Sequence, residues 1–190
     1  MHRILLAAVV LLTAYSTPVG GQQSATAPAQ AVRTTDVKPD PWAGWRFLLG
    51  DWLGEGGGAP GQGVGGFSFQ FDLKDKVLVR RSHADYPATK GRPAFIHEDL
   101  MIVYPGSDSA HAQAVYFDSE GHVIHYNAEL SSDQKLFTFL SDATTPGPRF
   151  RLMYSRLSLH SLGIKFEIAP PDKPDAFAVY LTGIVERAAE

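Results

Sequence analysis

Arg81 and His83 stand two apart in the stretch Arg80–His83, which places both on one face of an extended strand. A guanidinium beside an imidazole there could grip a ligand carboxylate; the same pair also reads as a solvated strand face near a rim. Glu98 lies in Ile96–Leu100. By alternation with Ile96, Leu100, Ile102 and Tyr104 it is expected to point inward, with His97 and Asp99 outward. An inward Glu98 would act as a buried acid or as the ion-pair partner of Arg151 or Arg156. Acid–base catalysis would need a carboxylate and a histidine facing one cavity within hydrogen-bond reach, and Glu98, His83 and His125 are the candidates. His122 and His125 are three apart, so a strand sends them to opposite faces and they cannot pincer one ion. No second histidine pair stands at two-residue spacing, so no metal site is expected.

Other chemistry is excluded more firmly. The chain has no cysteine, which removes disulfides, thiol catalysis and thiolate-bound metals. No serine sits within Gly-x-Ser-x-Gly. The glycine-rich run from Gly54 to Gly66 lacks the Lys-Ser/Thr and following helix of a phosphate loop and reads as a flexible hairpin connection. A formal net charge of −3 offers no broad attraction for nucleic acid. With no nucleophile and no supported base pair, the residues argue for binding over catalysis.

The elements that would position these side chains are strands. The chain has 190 residues, 44% hydrophobic and 19% charged, which is ordinary for one globular domain. His2 and Arg3, the apolar run Ile4–Ala14 and small residues up to Gly21 form a signal-peptide pattern over residues 1–21, and the apolar run is too short for a transmembrane helix. Residues 22–40, rich in Gln, Ala, Thr and Pro, are expected to form a disordered linker. The expected home is the periplasm or the exterior, without an integral membrane anchor. The folded domain is placed at 41–190. It opens with Trp42, Trp45, Phe47, Leu48 and Leu49 at a spacing that suits a short N-terminal helix. Beyond Asp51, runs rich in Val, Ile, Phe, Tyr and Thr alternate with turn clusters. About ten such runs without helical crossovers give an all-β, antiparallel up-and-down barrel, because closure removes exposed edges. Interior faces are assigned to Phe67, Phe69 and Phe71; to Ile124, Tyr126, Ala128 and Leu130 with His122; to Phe150, Leu152 and Tyr154 with Arg156; and to Phe177, Val179, Leu181 and Val185 with Arg187. Their polar tips, Tyr126 and Tyr154 among them, suit an enclosed cavity for a small-molecule ligand.

Gly50–Asp51–Trp52 resembles the Gly-x-Trp signature of the lipocalin and calycin barrels, including secreted bacterial barrels of lipocalin-like fold. The resemblance implies that Trp52 plugs the closed end of the barrel and that Arg187, in Gly183–Arg187, lies across its ring; an arginine so placed contributes about 0.5–2 kcal/mol. The longer run Leu48–Gly58 is similar to the first strand of nitrobindin, a haem-binding ten-stranded barrel. That likeness implies a haem ligand on the last strand, where this chain has Tyr180 in the position of the family's histidine. Tyrosinate can hold ferric haem, but a phenol is a poor ligand unless its pKa of about 10 is lowered, and alternation puts Leu181 rather than Tyr180 inside. Four roles therefore stand: a secreted or periplasmic carrier of a small apolar or amphipathic ligand, the preferred one, with Arg81, His83, Glu98, Tyr126, Tyr154 and Tyr180 as contacts; a haem barrel; a barrel enzyme; and an envelope protein acting through its outer surface.

Overall fold

The structure, a computed structural model, describes residues 40–54, 63–106, 111–143 and 147–189. The expected signal peptide, nearly all of the expected linker and the middle of the glycine-rich connection lie outside the described residues.

Ten strands follow one another: β1 Gly50–Gly54, β2 Val64–Asp72, β3 Val77–Tyr86, β4 Phe95–Pro105, β5 Ala112–Asp118, β6 Val123–Leu130, β7 Leu136–Ser141, β8 Arg149–Arg156, β9 Ser161–Ala169 and β10 Ala178–Arg187. Each pairs antiparallel with its sequence neighbours, and β1 pairs with β10, so the sheet is a closed barrel. This is consistent with a calycin-like fold. The expected N-terminal helix is reduced to a turn at 41–44 and a single 3-10 turn, Trp45–Leu48.

Up-and-down connectivity puts the start of β1 and the end of β10 at the same barrel end, and the 3-10 turn closes it. Trp45 packs on Phe137 and Phe139, with ring centroids 5.4 and 5.9 Å apart. Trp42 meets Phe71 at 5.6 Å. Trp52 is fully buried, and its Nε1 donates to the Leu48 carbonyl at 2.8 Å. Arg187 is the register partner of Trp52. Its guanidinium lies 4.2 Å from the indole centroid and donates to the carbonyls of Leu49 and of Phe47, the latter at 2.7 Å. One side chain thus covers the plug's ring and satisfies backbone carbonyls that the short turn leaves without helical partners. Glycine is required where strands crowd the plug: a Cβ on Gly66 would stand 2.2 Å from the Trp52 carbonyl oxygen, and Gly50 has φ of +101°.

Two face assignments are corrected. In β4 the inward set is Phe95, His97, Asp99, Met101 and Val103: Met101 and Val103 are fully buried, while Ile96 is exposed. Glu98 therefore points outward, and its companions Leu100, Ile102 and Tyr104 share that outer face. The inner face needs Asp99 to answer a buried arginine, and that outweighs the greater hydrophobicity of the other set. In β10 the register against β9 slips between Val179 and Leu181. Tyr180 is the extra residue of this bulge, and one extra residue reverses alternation. Val179 is accordingly exposed, and Phe177 lies outside under the guanidiniums of Arg149 and Arg151, whereas Val185 and Arg187 keep the expected inner face. The inner faces assigned to β2, β6 and β8 hold, with Phe67, Phe69, Tyr126, Ala128, Leu152 and Tyr154 buried.

Candidate functional site

Among the described residues, the end of the barrel opposite the Trp52 plug is open. It leads into a cavity of about 680 Å3. One wall, from β8, β9 and β10, presents Phe150, Leu152, Ile164, Phe166, Leu181 and Val185. The facing wall, from β3 to β6, presents Arg80, His97, Asp99, Tyr116, Asp118 and Tyr126, with Glu120 and His122 at the mouth.

These polar side chains form a continuous chain of contacts. At the floor Arg80 donates to Asp99, and the two side chains are 10% and 5% exposed. The Arg80 guanidinium also rests 4.9 Å from the Phe67 ring centroid. Burial works against its charge, and the Asp99 carboxylate more than reverses that, so the pKa is raised. His97 sits 3.5 Å from Asp99 through Nε2 and 2.9 Å from Glu120 through Nδ1. Its pKa is pushed up to about 9, first by the hydrogen bond to Asp99 and then by Glu120, against the opposing effect of burial. It is therefore an imidazolium at neutral pH. The Tyr116 hydroxyl bridges His97 Nε2, at 3.3 Å, and Asp118 Oδ2, to which it donates at 3.4 Å. Burial holds the phenols of Tyr116 and Tyr126 well above their ordinary pKa and that of Tyr154 at about 12, so all three are neutral hydroxyls. Two buried polar atoms at this level, Arg80 Nε and Tyr154 Oη, have no hydrogen-bond partner among the described residues.

At the mouth Asp118 shapes the β5–β6 turn. Its Oδ1 accepts the backbone N–H groups of Glu120 and His122 at 3.1 and 2.8 Å, and its Oδ2 lies 2.8 Å from His122 Nδ1. Burial raises the Asp118 pKa, and the His122 backbone and ring bonds outweigh it, leaving the carboxyl below its ordinary value. Possible ligand atoms of Asp118, Glu120 and His122 lie within 4.8 Å of one another. Since both Asp118 oxygens already hold the turn, that geometry is accounted for by a hairpin cap.

The residues singled out from the sequence divide between two surfaces. Tyr126 lines the cavity, and Tyr154 is buried beneath it. Tyr180 stands on the β10 bulge at the cavity's lip, 55% exposed, edge-on to Phe166 at 6.0 Å. Arg81, His83 and Glu98 belong to a shallow groove on the outer wall, with Leu53, Leu100 and Phe117, and His83 also borders the cavity. His83 bonds Asp85 at 3.1 Å and approaches Glu98 at 3.5 Å. Asp85 first and then Glu98 raise its pKa. His125 is exposed on the outer side of β6, so the pairing of Glu98, His83 and His125 across a cavity does not form. Glu98 is no partner of Arg151 either: Arg151 donates to Glu167 at 2.6 Å, and Arg156 lies over the Phe47 ring at 4.2 Å. The residues that sequence reasoning missed are Arg80, Asp99 and His97. One signal was available for them: Arg80 shares its strand face with Leu78, and an arginine on an apolar face calls for an acid on the neighbouring strand.

No protein-family model matches the sequence, and no curated protein matches it.

Proposed function

We propose that the protein is a secreted or periplasmic lipocalin-like carrier that holds a small amphipathic molecule inside its barrel. One observation carries the reading: the cavity of about 680 Å3 has an apolar wall facing a hydrogen-bonding one. Small-molecule sites have this size and this mixture, with few polar groups set in apolar lining. The basic, apolar and small residues of positions 2–21 support export.

Haem suits these residues less well. Tyr180, the candidate ligand, is at the lip and half in water. The histidines of the cavity lining, His83, His97 and His122, each lie within ion-pair distance of a carboxylate, and the proton so favoured on His97 competes with iron for its ring nitrogens. A second reading, an envelope protein acting through its outside, is favoured by the outer groove, where Leu53 and Phe117 are exposed beside Arg81 and Glu98.

Gly183 supplies the test. It lines the cavity, and a Cβ built on it meets nothing within 4 Å. Gly183→Phe is expected to fill the cavity and leave the fold intact. Native mass spectrometry of the wild-type protein from its own cells should show an added small molecule that the variant lacks. A bare wild-type protein whose thermal transition responds to no amphipathic compound would refute the proposal. A Soret band in the wild type would turn it toward haem.

A further inference from the structure

The apolar wall also says what shape the apolar part of the ligand takes. We propose that the cavity selects an amphiphile built on a flat aromatic ring system, laid face to face on Phe150 and Phe166, over one built on an alkyl chain or a saturated ring. This rests on the interior-binding reading above.

Three observations carry it. First, the aromatic pairs that fill the barrel are set edge to face. Phe67–Phe69, Phe69–Tyr154 and Phe139–Tyr154 have ring planes 87°, 85° and 87° apart, so the face of one ring is spent on the edge of the next. Phe150 and Phe166 are arranged differently. Their centroids are 6.0 Å apart and their planes lie within 7° of parallel, so the two rings turn their faces the same way. Second, both rings line the cavity. They stand on the inner side of β8 and β9 with Leu152 and Leu162, yet those leucines are buried and the two phenylalanines only half so. What an inward ring leaves uncovered, it shows to the cavity. Third, the pair is uncapped. The two other near-parallel pairs among the described residues each carry a guanidinium: Arg156 lies 4.2 Å from the Phe47 centroid in Phe47–Phe137, and Arg92 lies 4.7 Å from the Phe95 centroid in Tyr86–Phe95. Among the described residues no guanidinium covers Phe150 or Phe166. Tyr180, turned 89° to Phe166 at 6.0 Å, borders the pair at the lip, where the β10 bulge aims it.

A flat ring laid on this pair gains close contact over its whole face and the offset stacking that aromatic quadrupoles favour. A saturated ring of the same carbon skeleton is thicker, and its axial hydrogens hold it off the surface. It buries as much apolar area or more, so burial alone would rank it first. A preference for the flat compound is therefore the signature of stacking.

The test compares naphthalen-2-ol with trans-decahydronaphthalen-2-ol, which share one carbon skeleton and one hydroxyl. Each is titrated calorimetrically into the full chain at neutral pH. The naphthol should bind at least about fivefold tighter, the ratio that ring contacts supply. Phe166→Leu keeps an apolar side chain at a half-buried position. It should weaken the naphthol about threefold or more and leave the saturated compound within about twofold. The comparison of the two compounds is made on the wild type, so it does not depend on how the variant folds. Equal affinity, or preference for the saturated compound, overturns the inference while interior binding stands. A folded Phe166→Leu protein that keeps the full preference does the same. If neither compound binds, or if Gly183→Phe leaves their binding intact, the interior-binding reading itself has failed, and the inference falls with it.

Discussion

Arg187→Met isolates what the plug contributes. Methionine retains an unbranched apolar stem, so the variant removes the guanidinium and little of the packing. Two hydrogen bonds go with it, to the carbonyls of Phe47 and Leu49, and so do ring contacts at 4.2 Å over Trp52 and 5.5 Å over Phe47. Hydrogen bonds from a charged donor are worth about 1.5–3 kcal/mol each, and the cation–ring contact adds about 0.5–2 kcal/mol. These terms share one group and do not sum, so the expected loss is about 3–5 kcal/mol. In a domain of this size that lowers Tm by roughly 6–20 °C. Arg187→Lys keeps the charge without the fork that reaches two carbonyls, and should recover less than half of the loss. Urea unfolding followed by tryptophan fluorescence reads both variants, with the slope against denaturant unchanged if only stability has moved. Because the plug and the cavity mouth are at opposite ends, binding of amphipathic compounds by the folded variant should not change. A loss below about 1 kcal/mol for Arg187→Met would refute the claim that this side chain holds the turn against the barrel.

Three further outcomes follow from the same geometry. Gly66→Ala should destabilise by about 1–3 kcal/mol, because its Cβ would stand 2.2 Å from a backbone oxygen that cannot swing away; Gly183→Ala, facing open space, should be neutral or slightly stabilising, and differential scanning calorimetry separates them. Arg80→Met alone leaves Asp99 buried and unpaired and should cost about 3–5 kcal/mol, whereas Arg80→Met with Asp99→Leu should recover most of it; equal losses from single and double variants in chemical denaturation would remove the ion pair from the account. His97 has its pKa raised from 6.5 to about 9 by Asp99 and Glu120, with Tyr116 facing it from β5; a raised pKa means the charged form is favoured by folding, so its contribution is complete below pH 6.5 and is lost as pH rises through 9, by at most about 3 kcal/mol and less with solvent screening. Stability measured from pH 6 to 10 should fall across that window in the wild type and fall less in His97→Gln.

The strands were legible in the sequence because each obeys two local rules at once: a β-branched and aromatic run, and a turn cluster at its end. Phe67 and Phe69 in β2, Tyr126 and Ala128 in β6, and Leu152 and Tyr154 in β8 were placed inside by alternation alone. The same rule failed in β4, where both alternate sets are largely apolar and the one containing Asp99 is inside. Hydrophobic count cannot decide that strand; the deciding term is pairwise, between Asp99 and an arginine nineteen residues earlier. It failed in β10 for a different reason. The bulge at Tyr180 is a register event between two strands, and no property of the single strand announces it. The plug was legible through its motif, while the cavity's polar wall was not, because it is assembled from four strands and a turn whose side chains meet only after closure.

The two ends of the barrel separate stability from recognition. At the closed end the polar groups that meet Trp52 are spent: its indole N–H on Leu48 and the Arg187 guanidinium on Phe47 and Leu49. At the floor of the open half the arrangement is different. The Arg80–Asp99 pair is closed as a charge pair, yet Arg80 Nε and Tyr154 Oη remain unmet. Buried polar groups without partners are costly in proportion to how well water is excluded from them. A chain selected for stability alone could relieve that cost by replacing the pair with apolar residues of similar volume, which is often neutral or better. Arg80 Nε and Tyr154 Oη are closed off from the cavity as well as from water, so the open half of the barrel carries a cost in stability that the plugged end does not.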